Sequence, residues 1–367
     1  MTPHAANRVM RVARPIAGLP GPGDFTLHDA PMPEIGEREL LVRTIYLSIA
    51  PGVRPLLPHA GHAPQVEREP QPADDLPNPM KIRVGERMRS GIVPSMSKFA
   101  GGTVGQVVAS RHPDFAPGDY VFGGRYWQLY EAINGDASVR LDPDDLPIEA
   151  DLGIVGRSAF TGWVGYRRIC NAKPGEVMVI SSAAGSVGMA VAALAARDGL
   201  RVIGIASGPD KCAFVTEELG AEYCIDRQRE DVGQTLDRLT PAGVDIYFDN
   251  VAGALQRTLM ERLKPFGRLV VCGMAAEYCG GEASALPTGS ILAKRLRIEG
   301  FVVLDYDDEY PVFRQEMAAL WKAGALPYRQ QIYEGLKSAP AALADCLSGR
   351  SRGGKLLVRV GEDTSKP

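Results

Sequence analysis

The stretch Ser182-Ala183-Ala184-Gly185-Ser186-Val187-Gly188 decides the fold of this chain. It follows Val177–Ser181, a continuous apolar run that is typical of a strand buried on both faces of a parallel sheet. It opens an alanine-rich segment, Val187–Arg197, that is typical of a helix. Glycine lets a backbone approach a diphosphate closely, and a helix N-terminus offers unpaired N–H groups and a positive dipole end. We therefore predict a dinucleotide site here, with tight helix–sheet packing and no ligand as the alternative. The residues predicted to meet the diphosphate are Gly185, Ser186, Val187 and Gly188.

Strands and helices alternate on the carboxyl-terminal side of this stretch. The predicted strands are short apolar runs: Arg201–Ala206, Tyr223–Ile225, Asp245–Phe248, Arg268–Cys272 and Ile298–Val303. The predicted helices are Lys211–Leu219, which Gly220 ends, and Leu255–Leu263. Repeated β–α–β units of this kind predict an α/β fold with a Rossmann doubly wound parallel sheet, in a domain of residues 151–305.

The first 150 residues have a different pattern. From Val9 to Asp145, short β-type runs are bounded by Gly, Pro or Asp and no helical periodicity appears, which predicts a mostly β domain. The stretch Pro55–Pro79 holds seven prolines, so we predict an irregular loop that either covers a pocket or is a surface insertion. The tail, residues 306–367, is predicted to form helices at Pro311–Ala323 and Pro340–Leu347. We expect its final strand, Lys355–Val360, to return to the N-terminal domain.

Composition and charge exclude several classes of partner. The 367 residues include 41 Lys and Arg against 44 Asp and Glu, so the net charge of −3 does not favour binding to nucleic acid or to an anionic membrane. No apolar run approaches the roughly 20 residues that span a bilayer. The segment Met1–Arg14 has no continuous apolar core of the kind found in secretory signals. We therefore predict a cytoplasmic protein with no nucleic acid partner and no membrane partner.

The cysteines and histidines do not predict a metal site. Six cysteines occur without a CxxC pair, and most of them lie in apolar runs, which indicates reduced, buried thiols. All five histidines lie in the first third of the chain, away from any cysteine partner. A structural zinc ion needs four ligands that are usually arranged in short pairs, so we predict that no metal is bound.

The end of the second predicted strand distinguishes between two cofactors. An NAD site usually has Asp or Glu there to accept from the adenosine ribose, but here small neutral residues follow the strand. Lys211 can place a positive charge on a 2′-phosphate and Ser207 can add a hydroxyl, so we predict NADPH as the cofactor. Asp210 is interpreted as the N-cap of the next helix. The alternative for Lys211 is an ordinary solvated helix residue.

Motifs along nearly the whole chain resemble those of the zinc-independent medium-chain reductases. The family they resemble most is that of the prostaglandin reductases, 2-alkenal reductases and leukotriene hydroxydehydrogenases. Each motif is weak alone, but their order along the chain is specific. The motifs are Ala183–Gly188, Gly208–Lys211, Tyr247–Val251, Cys272–Tyr278 and Glu299–Val303, with Arg14-Pro15, Asp24-Phe25, Leu47-Ser48 and Phe115–Asp119 before them and Glu334-Gly335, Ala339-Pro340 and Gly354-Lys355 after them.

This resemblance implies a fold, an activity and an assembly. It implies a mostly β GroES-like catalytic domain, built from residues 1–150 and the tail, together with the Rossmann domain. It implies a homodimer that uses NADPH and no metal to reduce the carbon–carbon double bond of α,β-unsaturated carbonyl compounds. Two alternatives stay open. One is a quinone or carbonyl reductase of the same superfamily, and the other is a catalytically silent NADPH-binding protein.

The resemblance also implies roles for residues in the second half of the Rossmann domain. Asn250 is expected to face the cofactor. Tyr278 is expected to donate its hydroxyl to the substrate carbonyl oxygen, so that it and the nicotinamide ribose stabilise the enolate formed by hydride addition to the β-carbon. A proton, from solvent, then reaches the α-carbon. The alternative for Tyr278 is an ordinary edge aromatic. The residues expected beside the nicotinamide are Cys272, Gly273, Met274, Tyr278 and, through backbone groups, Phe301, Val302 and Val303.

The chain departs from the family pattern at four places, one of which is the Pro55–Pro79 stretch, which is longer than usual. Gly52 replaces an aromatic residue that helps to form the wall of the substrate site. Arg227 replaces a tyrosine, and it could stack on adenine or reach the 2′-phosphate. The stretch Gly349–Lys355 is longer than usual and lacks the family asparagine, for which Ser351 or Arg352 could substitute. Together these changes predict a reshaped pocket and a substrate other than a simple alkenal.

Overall fold

The computed structural model describes residues 6–58, 102–281 and 283–366, and its internal contacts divide the chain into two compact units. We call them the antiparallel unit (Met1–Glu149, Ile332–Ser348 and Leu357–Pro367) and the parallel unit (Ala150–Gln331 and Gly349–Leu356). The sequence-based domain boundaries remain predictions. The predicted proline-rich loop lies outside the described residues from residue 59 onwards.

The helices and strands of the described residues are numbered in chain order. The strands are β1 (Asn7–Val12), β2 (Phe25–Ala30), β3 (Glu39–Ile49), β4 (Thr103–Ser110), β5 (Tyr120–Gly124), β6 (Tyr130–Asn134), β7 (Val139–Leu141), β8 (Val177–Ser181), β9 (Arg201–Ala206), β10 (Tyr223–Asp226), β11 (Val244–Asp249), β12 (Leu263–Val271), β13 (Arg297–Gly300), β14 (Gln330–Glu334) and β15 (Lys355–Arg359). The α-helices are α1 (Arg157–Val164), α2 (Gly188–Arg197), α3 (Pro209–Ala213), α4 (Val232–Leu239), α5 (Gly253–Met260), α6 (Thr288–Lys294), α7 (Tyr310–Lys322) and α8 (Ala339–Ser348).

The antiparallel unit contains a seven-stranded sheet. Six of its strands follow the order β14-β15-β3-β4-β5-β7, and the seventh, β6, pairs with β3 outside this order. A separate antiparallel pair joins β1 to β2. Burial alternates along the first half of β3, whereas every residue from Thr44 to Ile49 is buried, so both faces of the strand are covered there. One cluster of its core is aliphatic and consists of Leu40, Val42, Val107, Val121 and Ile133.

The parallel unit holds a six-stranded sheet in the order β10-β9-β8-β11-β12-β13, and every neighbouring pair is parallel. Strand β8 is buried along its whole length, as its continuous apolar sequence predicts for a sheet covered on both faces. The chain runs from β8 to β9 on one side and later returns to β11 on the other. The carboxyl end of β8 is therefore the switch point, where ligands of such sheets bind.

Several element boundaries differ from the sequence-based prediction. Helix α5 ends at Met260, and Leu263 already belongs to β12. Strand β13 ends at Gly300, so Phe301–Val303 lies beyond the sheet instead of within it. The sequence did not predict α1, α4 or α6. Helix α4 does carry a readable start, since the Asp231 side chain accepts a hydrogen bond from the Gln234 N–H.

The interpretation of Asp210 as an N-cap was wrong. Gly208 occupies the N-cap of α3 with a φ of 88°, and Pro209 is the first helical residue, so Asp210 lies inside the first turn. Proline is common at the first position of a helix because its fixed φ suits a helix and it has no N–H to leave unpaired. Helix α3 continues as a π-helix, Phe214–Glu218. The prediction for the other end is confirmed, since Gly220 follows this π-helix and its C-cap with a φ of 77°.

Candidate cofactor site

The predicted site residues of the parallel unit follow the carboxyl ends of its strands, except Ser351, which follows helix α8. Because the strands are parallel, these ends meet at one edge of the sheet. The glycine stretch leaves β8 in the middle. We call the two flanks the lysine side (Ser207, Lys211, Arg227 and Gly349) and the tyrosine side (Asn250, Cys272–Tyr278 and Phe301–Val303).

The glycine stretch turns sharply between β8 and α2. The Gly185 N–H donates to the Ser182 carbonyl at 2.9 Å, and the Met189 N–H donates to the Gly185 carbonyl at 2.8 Å. A Cβ at Gly188 would lie 2.3 Å from the Ser182 oxygen, so only glycine fits this turn. A Cβ at Gly185 would meet mainly the movable Ser182 hydroxyl, at 2.9 Å. Gly188 therefore serves helix–strand packing, while Gly185, Ser186 and Val187 are half-buried at the switch point.

On the lysine side, two polar side chains converge on one backbone carbonyl. The Lys211 ammonium donates to the Gly349 oxygen at 2.6 Å, and the Ser207 hydroxyl lies 3.5 Å from the same oxygen. The two side chains also lie 3.4 Å apart. Gly349 has a φ of 71°, and a Cβ there would be 3.4 Å from Ser207 Oγ and 3.7 Å from Arg227 Nη2. The predicted cationic and hydroxyl groups are thus together, and their backbone partner Gly349 was not predicted.

The loop Gly349–Gly354 reaches the glycine stretch. The Gly354 N–H donates to the Ala184 carbonyl at 2.6 Å, and Gly354 forms a parallel bridge with Gly185. This loop carries half-buried Ser351 and exposed Arg352, the two candidates for the family asparagine. The loop is therefore held against the predicted diphosphate cradle through its own backbone.

A carboxylate that the sequence did not single out supports the lysine side. Asp226, at the end of β10, is buried, and its Oδ1 accepts from the Gly208 N–H at 2.8 Å and the Gln228 N–H at 3.1 Å. It fixes the turn that starts helix α3 and carries Lys211. A polar residue directly after the apolar run Tyr223–Ile225 is the signal that could have found it.

On the tyrosine side, Asn250 is held on the end of β8. Its N–H donates to Ser181 Oγ at 2.8 Å, and its Nδ2 donates to the Ser181 carbonyl at 2.8 Å. Ser181 Oγ in turn donates to the Asp249 carboxylate at 3.0 Å. The Asn250 side chain therefore joins β11 to β8, and the residue is half-buried directly after the carboxyl end of β11.

The segment Cys272–Tyr278 begins at the end of β12. The N–H groups of Cys272 and Gly273 donate to the Asp249 carbonyl at 2.8 and 3.1 Å. Burial, and secondly the charge of Asp249, raise the pKa of the Cys272 thiol to about 12. Met274 is exposed. This thiol is therefore a neutral group at the edge of the sheet.

Tyr278 lies in a short 3-10 turn, Glu277–Cys279, that follows. Its ring is half-buried, and burial raises its pKa above the usual value, although a hydrogen bond with the Met274 backbone partly offsets this effect. Its phenol therefore keeps its proton at neutral pH and can donate a hydrogen bond. Of the last three predicted residues, Phe301 turns its ring inwards, since a Cβ at Gly165 would touch both Phe301 and Phe248, while Val302 is exposed.

Metal and membrane features were searched for among the described residues. In residues 6–58, 102–281 and 283–366, no group of three His, Cys, Asp or Glu side chains lies close enough together to hold a metal ion. Five cysteines there form no disulfide: Cys170 and Cys224 are buried, whereas Cys212, Cys272 and Cys346 are only half-buried. None of the helices in this part of the chain is both long enough and apolar enough to cross a membrane.

Comparisons with known proteins agree with this geometry. A family model described as zinc-binding dehydrogenase matches residues 186–320, and one described as the N-terminal domain of oxidoreductase matches residues 79–141. The NADPH-dependent curcumin reductase of Escherichia coli (strain K12) is 32% identical over 356 residues, which cover 94% of each chain. The chain belongs to the medium-chain dehydrogenase/reductase family. The predicted family is therefore confirmed.

Further members of the medium-chain dehydrogenase/reductase family extend the comparison. The 2-alkenal reductase (NADP(+)-dependent) of Nicotiana tabacum is 32% identical over 265 residues, covering 71% of this chain and 77% of the relative. The crystal structure of CurA in complex with NADPH from Vibrio vulnificus superposes with a TM-score of 0.82 at 29% identity, covering 97% of this chain and all of that one. The predicted fold class, a Rossmann sheet with a mostly β GroES-like domain, is confirmed. The zinc in the family model's description does not fit the described residues, which offer no ligand cluster, and no step below uses a metal.

Proposed function

We propose that this protein is an NADPH-dependent oxidoreductase that reduces the carbon–carbon double bond of α,β-unsaturated carbonyl compounds. The cofactor assignment is supported by the pairing of Lys211 with Ser207 after the end of β9, where the small neutral residues Ser207 and Gly208 follow the strand in place of the Asp or Glu that is usual in an NAD site. The reaction is supported by relatives named as curcumin and 2-alkenal reductases, with which the chain shares about a third of its residues.

The residues of the switch point fit a phosphorylated dinucleotide. Gly185, Ser186 and Val187 would hold the diphosphate at the start of α2, where backbone N–H groups and the helix dipole favour anions. Lys211 and Ser207 would hold the 2′-phosphate, with Arg227 and Ser351 at its rim. Both Lys211 and Ser207 already point at a carbonyl oxygen, so an anionic oxygen beside Gly349 would meet donors that are in place.

The tyrosine side would provide the chemistry. Bound NADPH supplies the hydride that reaches the β-carbon of the substrate. Negative charge then develops on the carbonyl oxygen, and the Tyr278 hydroxyl stabilises it by donating a hydrogen bond, together with a ribose hydroxyl of the cofactor. Because the pKa of Tyr278 is raised, the phenol is a donor throughout the neutral range. The proton that completes the α-carbon comes from solvent.

The proposal is tested by NADPH oxidation with a panel of enones and enals, with mass analysis of the products. Saturated carbonyl products support it. Allylic alcohols or quinols as the only products would instead identify a carbonyl or quinone reductase. Tight binding of NADPH without turnover of any electrophile would identify a silent binding protein, the reading that Gly52 and the altered loop Gly349–Lys355 leave open.

The assembly and location also belong to the proposal. Strand β13 forms an edge of the parallel sheet, and Leu286 and Leu292, exposed by 47% and 79%, precede it in the chain. An edge strand and exposed apolar side chains both support the predicted homodimer, because unpaired strand edges and exposed apolar surface associate readily. Light scattering coupled to gel filtration measures the mass, and a monomer at all concentrations would contradict this assignment. The three-part domain division and the cytoplasmic location stay predictions.

A further inference from the structure

We propose that the buried carboxylate of Asp249 is a positioning residue that holds Tyr278 in place for the reaction. This inference rests on the proposed function, because it concerns the same site. It goes beyond that function by assigning a role to a residue that would contact neither cofactor nor substrate. Three observations carry it: the number of donors on Asp249, a strained turn beside it, and a chain of hydrogen bonds from that turn to the Tyr278 segment.

Asp249 is fully buried and collects donors from three elements of the sheet edge. Its Oδ1 accepts from the Tyr247 hydroxyl at 2.7 Å and from the Ser181 hydroxyl at 3.0 Å. Its Oδ2 accepts from Gln256 Nε2 of helix α5 at 3.0 Å. A buried carboxylate is costly unless its oxygens are satisfied, so this set of bonds fixes the side chain in one position.

The same carboxylate holds a turn with unfavourable backbone geometry. Oδ1 also accepts from the N–H groups of Val251 and Ala252, at 2.9 and 3.0 Å. Ala252 has a φ of 64° and a ψ of −154°, a region that is essentially restricted to glycine. A non-glycine residue persists in such a conformation only where its surroundings impose it. Here the bond from its N–H to Asp249 is the local constraint.

Backbone hydrogen bonds connect this turn to the residues that follow strand β12. The Ala275 N–H donates to the Asn250 carbonyl at 3.3 Å, and the Ala276 N–H donates to the Val251 carbonyl at 3.0 Å. The Asp249 carbonyl itself accepts from Cys272 and Gly273. The backbone from Cys272 to Ala276 is therefore bonded to the turn that Asp249 shapes, and Tyr278 follows two residues later.

A second set of hydrogen bonds connects the residues around Tyr278 to the same turn. The Ser284 N–H donates to Glu277 Oε1 at 3.0 Å, and Ser284 Oγ accepts from the Gly253 N–H at 2.8 Å. Gly253 directly follows the strained Ala252. Relaxation of the turn would therefore move both supports of Tyr278, while the lysine side, which has its own carboxylate in Asp226, would stay in place.

The experiment compares two carboxylate variants of one strand. Asp249→Asn removes the charge at the carboxyl end of β11. Asp245→Asn is the matched control, because Asp245 at the other end accepts from the Val177 N–H at 2.9 Å and from Lys264 Nζ at 2.8 Å. We expect Asp249→Asn to lower kcat about 10- to 100-fold, since small misplacements of a reacting group have effects of that size. The KM for NADPH should change less than about 3-fold, and Asp245→Asn should leave both constants near those of the wild type.

A rescue variant separates positioning from simple loss of stability. Glycine adopts the backbone angles of residue 252 without strain, so Asp249→Asn combined with Ala252→Gly should regain most of the lost kcat. Tyr247→Phe, which removes one donor and keeps the ring, should lower kcat in the same direction but less. An unchanged kcat in folded Asp249→Asn, an equal loss in Asp245→Asn, or a double variant that is no better than Asp249→Asn would overturn the inference.

Amide hydrogen exchange gives a readout that needs no turnover. We expect Asp249→Asn to accelerate exchange in peptides covering residues 250–253 and 272–278, and Asp245→Asn to leave them protected. If the wild type reduces no substrate, the proposed function fails, and exchange still decides whether Asp249 holds the segment. If exchange in both peptides is unaffected by Asp249→Asn, the inference fails even where the enzyme is active.

Discussion

The lysine side and the tyrosine side of the cofactor site are built on different physical principles. On the lysine side, charged and hydroxyl side chains, Lys211 and Ser207, meet a single backbone carbonyl, and exposed Arg227 lies nearby. On the tyrosine side, the proposed recognition groups are neutral, and the backbone that carries them is hydrogen-bonded to a turn that the buried carboxylate of Asp249 holds. This difference predicts that affinity and geometry can be changed separately, one on each side of the glycine stretch.

The largest effect should come from the residue that both sides share. In Gly188→Ala, the new Cβ would lie 2.3 Å from the Ser182 oxygen and 2.8 Å from Ala183 Cα, and both are backbone atoms that cannot move aside cheaply. The turn must shift, so we expect NADPH affinity and kcat to fall together by more than about 100-fold. Isothermal titration and steady-state kinetics measure the two quantities.

Gly289→Ala is the matched control for this substitution. Gly289 lies in helix α6, and a Cβ there would have no atom within 4 Å. Alanine should therefore leave binding and kcat unchanged. If Gly188→Ala keeps full NADPH affinity and full kcat, the turn between β8 and α2 does not bind the cofactor. The proposal that the two sides belong to one cofactor site would then be contradicted.

The sequence predicted the sheet well because its strands are buried on both faces. Continuous apolar runs such as Val177–Ser181 and Arg201–Ala206 leave no polar face, and the structure places them as β8 and β9. Helix α1 was missed because its sequence, Arg157–Val164, mixes aromatic residues, threonine and glycine without a clear period, and its stability comes from packing. Boundaries also failed where a short loop joins two elements, as between Met260 and Leu263.

The candidate site was predictable as far as its side chains lie directly after strands. Lys211 was predicted because it follows the end of the second strand, whereas Tyr278 was predicted from the resemblance to the family. The carbonyl of Gly349 was not predicted, because a backbone acceptor leaves no trace in residue type. Asp249 lies within the motif Tyr247–Val251, but a role at the cofactor site was assigned from the sequence to its neighbour Asn250 instead. Only the hydrogen bonds show that Asp249 shapes the turn and that Asn250 joins two strands.

The second-largest effect is expected from a substitution that changes the lysine side alone. Lys211→Met keeps the length of the side chain and removes its charge. A charge-assisted hydrogen bond contributes about 1.5–3 kcal/mol, so we expect the KM for NADPH to rise about 10- to 150-fold. The KM for NADH should change little, because NADH has no 2′-phosphate. Equal changes for the two cofactors would show that Lys211 does not distinguish the phosphate, and a large fall in kcat would break the proposed separation of the two sides.

A smaller effect should appear in stability when the strain on the tyrosine side is removed. A non-glycine residue in the conformation of Ala252 costs of order 1–3 kcal/mol, and glycine loses about 0.5–1 kcal/mol through its greater freedom in the unfolded chain. Ala252→Gly alone should therefore raise the free energy of unfolding by about 1 kcal/mol, measured from the midpoint in urea. A clear loss of stability would mean that the turn is not strained, and that Asp249 has less to hold.

The smallest effect is expected in the response of the tyrosine side to pH. Burial raises the pKa of Cys272 to about 12 and raises that of Tyr278 above its usual value, so both groups keep their protons as the pH rises through the neutral range. The proposed hydrogen bond from Tyr278 to a substrate oxygen would therefore be available from about pH 6.5 to pH 9, and kcat should vary less than about 2-fold over that range. A step in kcat near pH 8 that Cys272→Ala abolishes would show an ionising thiol at the site. A step that Tyr278→Phe abolishes would show that the phenol loses its proton there. Either result would place a charge among the groups of the tyrosine side that we describe as neutral. The two sides would then differ in the number of their charged groups and not in whether they have any.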